Sequence, residues 1–295
     1  MTAVRRRLVG LLDRPEVLPA PGVPDPLSAR LVAEAGFEAV YMSGDATTAV
    51  RLGMPDVGLL TMSEMVDNAG RIVDAVDLPV IADADTGYGG PVNVRRTVRD
   101  YERAGVAAIQ MEDQVWPKRC GHLAGKRVIP AAEMAAKVKA AVDARRDPDL
   151  LVIARTDALA VEGFQAALDR VALYGEAGAD ILFVEAPTSL EQLRTIGGLP
   201  ARTMYNASAS GRTPILDTGE LTRLGFALAI YPGQALFAAI PAIRAALGHI
   251  RRTGDPRGMP VPLAGFADYV QLLGIDEVRA FEAAHGLPED QQVGI

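Results

Sequence analysis

Asp83 and Asp85 stand two residues apart, directly after the apolar run Val80–Ala82. On an extended strand, residues two apart point the same way, so the two carboxylates face together. Like charges that close repel unless a cation or a proton lies between them. Glu112 closes another apolar run, Ala107–Met111, and supplies a third carboxylate. An oxygen-only set of this kind suits magnesium, or manganese, rather than zinc. Arg155 follows the run Leu151–Ala154 in the same way. Cys120, the only cysteine, sits in Pro117-Lys118-Arg119-Cys120-Gly121-His122. Lys118, Arg119 and His122 are expected to lower the thiol pKa. Gly121 and its polar surroundings predict a mobile, exposed loop that closes over a bound substrate.

These side chains need a frame. Short apolar runs suited to strands occur at Glu16–Leu18, Ala39–Met42, Val80–Ala82, Ala107–Met111, Leu151–Ala154, Ile181–Val184, Thr203–Tyr205 and Ala227–Ile230. Helical patterns separate them: Met134, Val138, Ala141 and Val142 share one face, as do Phe164, Ala167, Leu168 and Val171. Thr61 with Glu64, and Asp217 with Glu220, have the spacing of capping boxes. Strand–helix alternation predicts a parallel sheet, and eight units favour a closed β/α (TIM-like) barrel. An open doubly wound sheet is the competitor. It lacks a GxGxxG loop, since Gly87-Tyr88-Gly89-Gly90 does not fit that spacing. Residues 1–295 are read as one barrel domain, with 248–295 as a C-terminal helical extension. That tail carries the patterns His249–Arg252 and Phe266–Ala284, more than eight units require.

Strand after strand ends in polar residues: Tyr41-Met42-Ser43-Gly44-Asp45, Asp83-Ala84-Asp85, Glu112-Asp113, Arg155-Thr156-Asp157, Glu185 and Asn206. Singly, each is an ordinary loop residue. In a β/α barrel these ends converge on the face where such folds place their chemistry, giving a carboxylate-rich pocket with one arginine.

Composition excludes other classes. Of 295 residues, 49% are hydrophobic, enough for a large core, and the net charge is -7. No lysine–arginine cluster is set among aromatics, which argues against nucleic acid. No run approaches the roughly 18 apolar residues of a membrane span. The segment Leu8–Leu12 after basic Met1–Arg7 is too short for a signal core and is broken by Gly10, so a cytoplasmic protein is expected. One cysteine forbids an intrachain disulfide, and the scattered His122, His249 and His285 do not suggest zinc.

Lys118-Arg119-Cys120-Gly121-His122 resembles the signature of isocitrate and methylisocitrate lyases. The wider loop, Glu112-Asp113-Gln114-Val115 through Gly125-Lys126-Arg127, resembles that of methylisocitrate lyases and carboxyphosphonoenolpyruvate phosphonomutases. Tyr41–Gly44, Arg51–Asp56, Asp83–Gly89 and Ala154–Ala158 match the same superfamily, that of isocitrate lyase and phosphoenolpyruvate mutase. The resemblance implies a barrel whose last helix is exchanged between subunits of a homotetramer. It implies magnesium bound directly by Asp85 and through water by Asp83 and Glu112. Tyr41, Ser43, Gly44, Asp45 and Arg155 would hold a 2-oxo acid portion, and Cys120 would protonate the departing carbanion. Lys118, Arg119 and His122 join the catalytic set. Gly121, Glu185, Asn206, Ser208, Ser210 and Arg212 join the substrate-binding set.

Two positions depart from the pattern. Ala209 replaces a glutamate, and Phe237 stands where methylisocitrate lyases carry an arginine. Both remove polar contacts from the far half of a substrate, with Arg212 a partial compensation. The expected activity is magnesium-dependent carbon–carbon cleavage of a small 2-hydroxy di- or tricarboxylic acid, 2-methylisocitrate-like or an alkylmalate. A phosphonomutase and a non-catalytic 2-oxo-acid-binding relative are the alternatives.

Overall fold

Aliphatic runs too short for helices alternate with longer amphipathic ones, and the chain folds in that order. The computed structural model describes residues 2–208 and 212–294, so Ala209, Ser210 and Gly211 lie outside the described residues. The elements are α1 (Thr2–Leu12), β1 (Leu18–Val23), α2 (Pro26–Glu34), β2 (Val40–Met42), α3 (Gly44–Leu52), α4 (Met62–Ala75), β3 (Val80–Asp83), α5 (Pro91–Ala104), β4 (Ala108–Glu112), α6 (Ala131–Ala144), β5 (Leu151–Thr156), α7 (Phe164–Glu176), β6 (Ile181–Val184), α8 (Leu190–Gly197), β7 (Thr203–Asn206), α9 (Thr218–Leu224), β8 (Leu228–Tyr231), α10 (Gln234–Thr253), α11 (Phe266–Leu272) and α12 (Ile275–Ala284). The strands close into one parallel barrel in sequence order, β8 returning to β1. Both expected capping boxes form, Thr61 with Glu64 on α4 and Asp217 with Glu220 on α9.

The first strand differs from expectation. It runs Leu18–Val23, not Glu16–Leu18. Pro19 and Pro21 disguise it, because a residue without an N–H reads as a strand breaker. Leu18 donates its N–H to Ala227, so by alternation the nitrogens of residues 19 and 21 face β2. Pairing with β2 begins only at Gly22 and Val23, so neither proline faces a partner there. The other strands lie within two residues of the expected bounds.

Alternation along the strands sorts the core into two layers. Leu18, Ala20, Tyr41, Ile81, Ala108, Ile153, Phe183, Met204, Leu228 and Ile230 fill the lumen, and Leu8, Leu11 and Leu12 of α1 join the same cluster. Val40, Met42, Val80, Ala82, Ile109, Met111, Val152 and Val184 meet the helices instead. Arg5 fastens α1: it donates to the carbonyls of Val106 at 2.9 Å and Glu102 at 2.6 Å and pairs with Asp147 at 3.0 Å.

The chain divides into two compact units, Met1–Leu236 with the barrel and Phe237–Ile295 with helices. Helices α10, α11 and α12 have no buried residue. Phe237, Ile240, Ile243, Leu247 and Ile250 recur every three or four positions, one helical face, and all are exposed. The single expected tail pattern Phe266–Ala284 is split, because Gly274 adopts a left-handed φ of 84° between α11 and α12. Among the described residues, no helix is long and apolar enough to cross a membrane.

Leu8→Ala removes a fully buried side chain from the lumen plug. It should cost about 2–5 kcal/mol of stability. Leu27→Ala, at a 43% exposed site, should stay within about 0.5 kcal/mol. Denaturant unfolding that showed equal losses for both would contradict the plug.

Candidate active site

The lumen alternation that seats Ile81, Ala108, Ile153, Phe183 and Met204 continues past the apolar layer. Two steps on come Asp83 and Asp85, Gln110 and Glu112, Arg155 and Asp157, Glu185, and Asn206. Each strand thus delivers an apolar residue to the lumen and then a polar one to the C-terminal mouth.

Asp83 accepts the backbone N–H of Asp85 at 3.0 Å and that of Gly44 at 3.3 Å. A Cβ on Gly44 would lie 2.6 Å from the Asp83 carboxylate, so glycine is required there. Asp85 holds a φ of 47°, a strained conformation for a non-glycine residue and one that concentrates at functional sites. Its carboxylate lies 2.8 Å from Lys118 Nζ, which also meets Asp56 at 2.6 Å. Burial, with Asp83 and Asp56 adding, pushes Asp85 up to about 6 against the pull of Lys118. Glu112 is raised further, by burial foremost. Neither of its carboxylate oxygens has a hydrogen-bond partner among the described residues, and the nearest cation is Arg155 Nη1 at 3.3 Å. Buried, unbonded carboxylate oxygens beside two more aspartates fit a hard divalent cation, alone or through its waters. Asp45, Asp56 and Cys120 also converge, with potential ligand atoms within 4.8 Å of one another. Lys118 Nζ is shared between that group, through Asp56 at 2.6 Å, and Asp85 at 2.8 Å, whereas among the described residues no such ammonium pairs with the Glu112 oxygens.

Arg155 anchors the opposite side. It donates to Asp157 through Nε at 2.9 Å and Nη2 at 3.0 Å, lies 3.4 Å from Glu185, and stacks over Phe183 at 5.5 Å. Asp157 also receives Lys126 at 2.7 Å. Behind it Asp113 accepts from Thr156 at 2.6 Å, Tyr174 at 2.8 Å, the Asp157 backbone at 2.9 Å and Arg170 at 3.1 Å. Burial opposes ionisation of Glu185, but Arg155, His122 and Lys126 hold it down to about 2. His122 Nε2 is 3.0 Å from Glu185, and Asn206 Nδ2 donates to both its oxygens at 3.2 and 3.3 Å.

The cysteine loop corrects two expectations. It is packed against the mouth: Lys118, Gly121 and Lys126 are buried, and a Cβ on Gly121 would stand 2.3 Å from Arg155 Nη2. Gln114 ties the loop by accepting from the Arg119 N–H at 3.0 Å and donating to its carbonyl at 2.8 Å. The half-buried Cys120 thiol is pushed up to about 11, not lowered. Burial is the main cause, and Asp45 and Asp56 add to it against the His122 backbone N–H and Arg155. The neighbouring cations are engaged elsewhere. Lys118 serves Asp56 and Asp85, His122 faces Glu185, and the exposed Arg119 donates to the Ala124 carbonyl at 2.9 Å.

The structure therefore gathers Asp83, Asp85, Glu112, Lys118, Cys120, Gly121, His122, Arg155, Glu185 and Asn206 at the mouth, with Ser43, Gly44 and Asp45 at the start of α3. Ser43 caps that helix by accepting from Ala46 N–H at 3.3 Å. Tyr41 lies deeper, donating to Gln110 at 3.2 Å, with burial raising its phenol pKa. Arg119 points away from the mouth; Ser208 is half-buried, Arg212 is exposed, and Ser210 lies outside the described residues. Asp56, Asp113, Lys126 and Asp157 are site-supporting residues that the spacing of chemistry-bearing types did not single out. Asp113 and Asp157 had a signal as polar strand ends, and Asp157 also shares the face of Arg155 two positions on.

Comparison with known proteins agrees with this architecture. The chain is 45% identical to 2,3-dimethylmalate lyase of Eubacterium barkeri over 92% of its own length and 94% of that protein. It is 43% identical to 2-methylisocitrate lyase of Aeropyrum pernix over 92% of its length and 88% of the relative. Its fold superposes on oxaloacetate acetylhydrolase, solved with 3,3-difluorooxalacetate, with a TM-score of 0.92 at 36% identity, covering 98% and 99% of the two chains. The family pattern described as phosphoenolpyruvate phosphomutase spans residues 8–251, and the chain belongs to that family.

Proposed function

We propose that this chain is a magnesium-dependent lyase that splits a small 2-hydroxy di- or tricarboxylic acid into a 2-oxo acid and a second carboxylic acid. The observation that carries this reading is a half-buried free thiol at a mouth where the buried Glu112 oxygens lack partners beside Asp83 and Asp85. The two relatives named as lyases, similar over nearly the whole chain, support it.

Asp85, Asp83 and Glu112 would hold the ion, with manganese as the substitute. Bound there, it would supply positive charge to the substrate's 2-oxygen, easing transfer of the hydroxyl proton to a carboxylate of the mouth as that oxygen becomes the carbonyl of the 2-oxo acid and the bond's electrons pass to the departing carbon. The chain's own residues do the rest. Arg155, fixed by Asp157, and the Asp45 N–H at the start of α3 hold the carboxylate of the 2-oxo acid portion. His122 and Asn206, both oriented by Glu185, face the other half. The packed loop excludes water, which would otherwise compete to protonate the departing carbanion. Cys120 delivers that proton from Sγ. A thiol near 11 is fully protonated at neutral pH and keeps its proton until the carbanion demands it. The two relatives named as lyases, rather than the thiol, favour cleavage over the mutase reading. The missing arginine at position 237 favours an alkylmalate-like far end.

We further assign the exposed apolar stripe of α10, with α11 and α12, to contacts between subunits of a homotetramer. A stripe of five large apolar residues on a chain with charge -7 is otherwise an aggregation hazard.

Asp85→Ala should abolish turnover, and chelator should silence the wild type until magnesium is restored. Full activity of either would remove the ion from the reaction. Cys120→Ser raises the donor pKa, and its rate should fall about 10²–10⁴-fold while substrate still binds. Product formed by the wild type in heavy water should carry one deuterium on the carbon that leaves. The alkaline limb due to Cys120 should lie near 11, activity being present below it and lost above as the thiol gives up its proton. A limb near 7 would contradict the buried, acid-form thiol. Ending the chain before Gly265 should lower the oligomer size in light scattering; an intact protein that is monomeric at micromolar concentration would refute the assembly.

A further inference from the structure

Outside the metal-side carboxylates lies a second cavity, of 560 Å³, bounded by the loop before α4, the turn after β3, the base of the cysteine loop and the start of α6. Its walls are mostly apolar: Leu59, Met62, Tyr88, Trp116 and Ile129. Lys137 of α6 also lines it, although only 3% of that residue is exposed. Among the described residues Lys137 makes no hydrogen bond and no ion pair. Glu133, one turn earlier, is exposed at the rim and beyond pairing distance. Burial depresses the Lys137 ammonium against the pull of Glu133, Glu112 and Asp113. Its stem passes Gly87, where an added Cβ would come within 3.9 Å of Cε. Gly90, the N-cap of α5, borders the same cavity and receives no side-chain cap, so the positive end of that helix lacks the usual acceptor.

The ammonium, with no protein partner among the described residues, opens onto this cavity, and at an apolar wall it is stabilised when an anion pairs with it. One ammonium and one helix end, set in apolar walls, match a single carboxylate on an apolar body better than a phosphate, which needs more donors. The volume is that of a small-molecule site. We propose that this cavity is a second ligand site that takes a small monocarboxylate, its carboxylate against Lys137 and the start of α5, its apolar body among Leu59, Met62 and Trp116.

Trp116 is the only tryptophan of the chain, so its fluorescence reports on the site directly. Hexanoate and benzoate titrated into the intact protein should each change the emission saturably. Lys137→Met should weaken that binding at least about tenfold, since the charge-assisted contact is gone while the stem volume remains. Arg155→Lys, which disturbs the carboxylate anchor of the catalytic mouth, should leave the titration unchanged, and inorganic phosphate should produce no saturable change. Lys137→Met should melt no lower than the wild type, because it removes an unpaired buried charge. The inference is overturned by an absent or unsaturable response, by equal binding to Lys137→Met, or by a response lost in Arg155→Lys, which would place the ligand in the catalytic mouth. It is equally overturned by phosphate binding as well as the carboxylates, or by a markedly lower melting temperature of Lys137→Met, which would give the ammonium a structural partner.

Discussion

The C-terminal mouth of the barrel buries more carboxylates than cations, and the rest of the structure answers to that imbalance. Asp56, Asp83, Asp85, Glu112, Asp157 and Glu185 face Lys118, Lys126 and Arg155. Buried charge of one sign is tolerable only when it is paired, protonated or neutralised by an ion. Arg155 and Lys126 settle Asp157 and Glu185, and Lys118 settles Asp56 and part of Asp85. Glu112 and the Asp83–Asp85 pair keep the excess, and that is where an ion of charge two fits. The imbalance also bears on Cys120. Burial is what chiefly keeps the proton on sulfur, and the carboxylates Asp45 and Asp56 add to it.

The barrel itself follows from a period of two. An apolar residue every second position fills the lumen, and the same parity then presents the polar residues as a ring. That is why the eight-strand architecture and the roster Asp83, Asp85, Glu112, Arg155, Glu185 and Asn206 were legible in the sequence. Strand one was not, because two prolines hid an edge whose nitrogens need no partner. The tail read as one helix broke at Gly274, a left-handed position that hydrophobic spacing does not reveal.

The sign of the cysteine shift was misread for a different reason. Along the chain Cys120 has cations on both sides, and proximity in sequence was taken for proximity of charge. In space, Lys118 bonds Asp56, 62 positions earlier, and Arg119 faces outward. The groups that do surround the sulfur, Asp45 and Asp56, come from other segments and carry the opposite sign. Asp113 and Asp157 stood among the polar strand ends, but their task of orienting an arginine was hidden, since a buried carboxylate that does so has no local signature.

One ammonium links the two halves of the chemistry. Lys118 belongs to the loop that carries Cys120, yet it pairs with Asp85 on the turn assigned to the metal. Gln114 anchors the same loop through the Arg119 backbone, and Gly121 lies against Arg155 and Glu185 with no room for a side chain. Cys120, Arg155 and Asp85, the groups proposed as proton donor, carboxylate anchor and metal ligand, are therefore tied together through one short segment. The same packed segment places the thiol and covers the mouth. A cover separate from the thiol would have to be positioned independently of it; here the two share one packed segment, so the contacts that fix the cover also fix the sulfur.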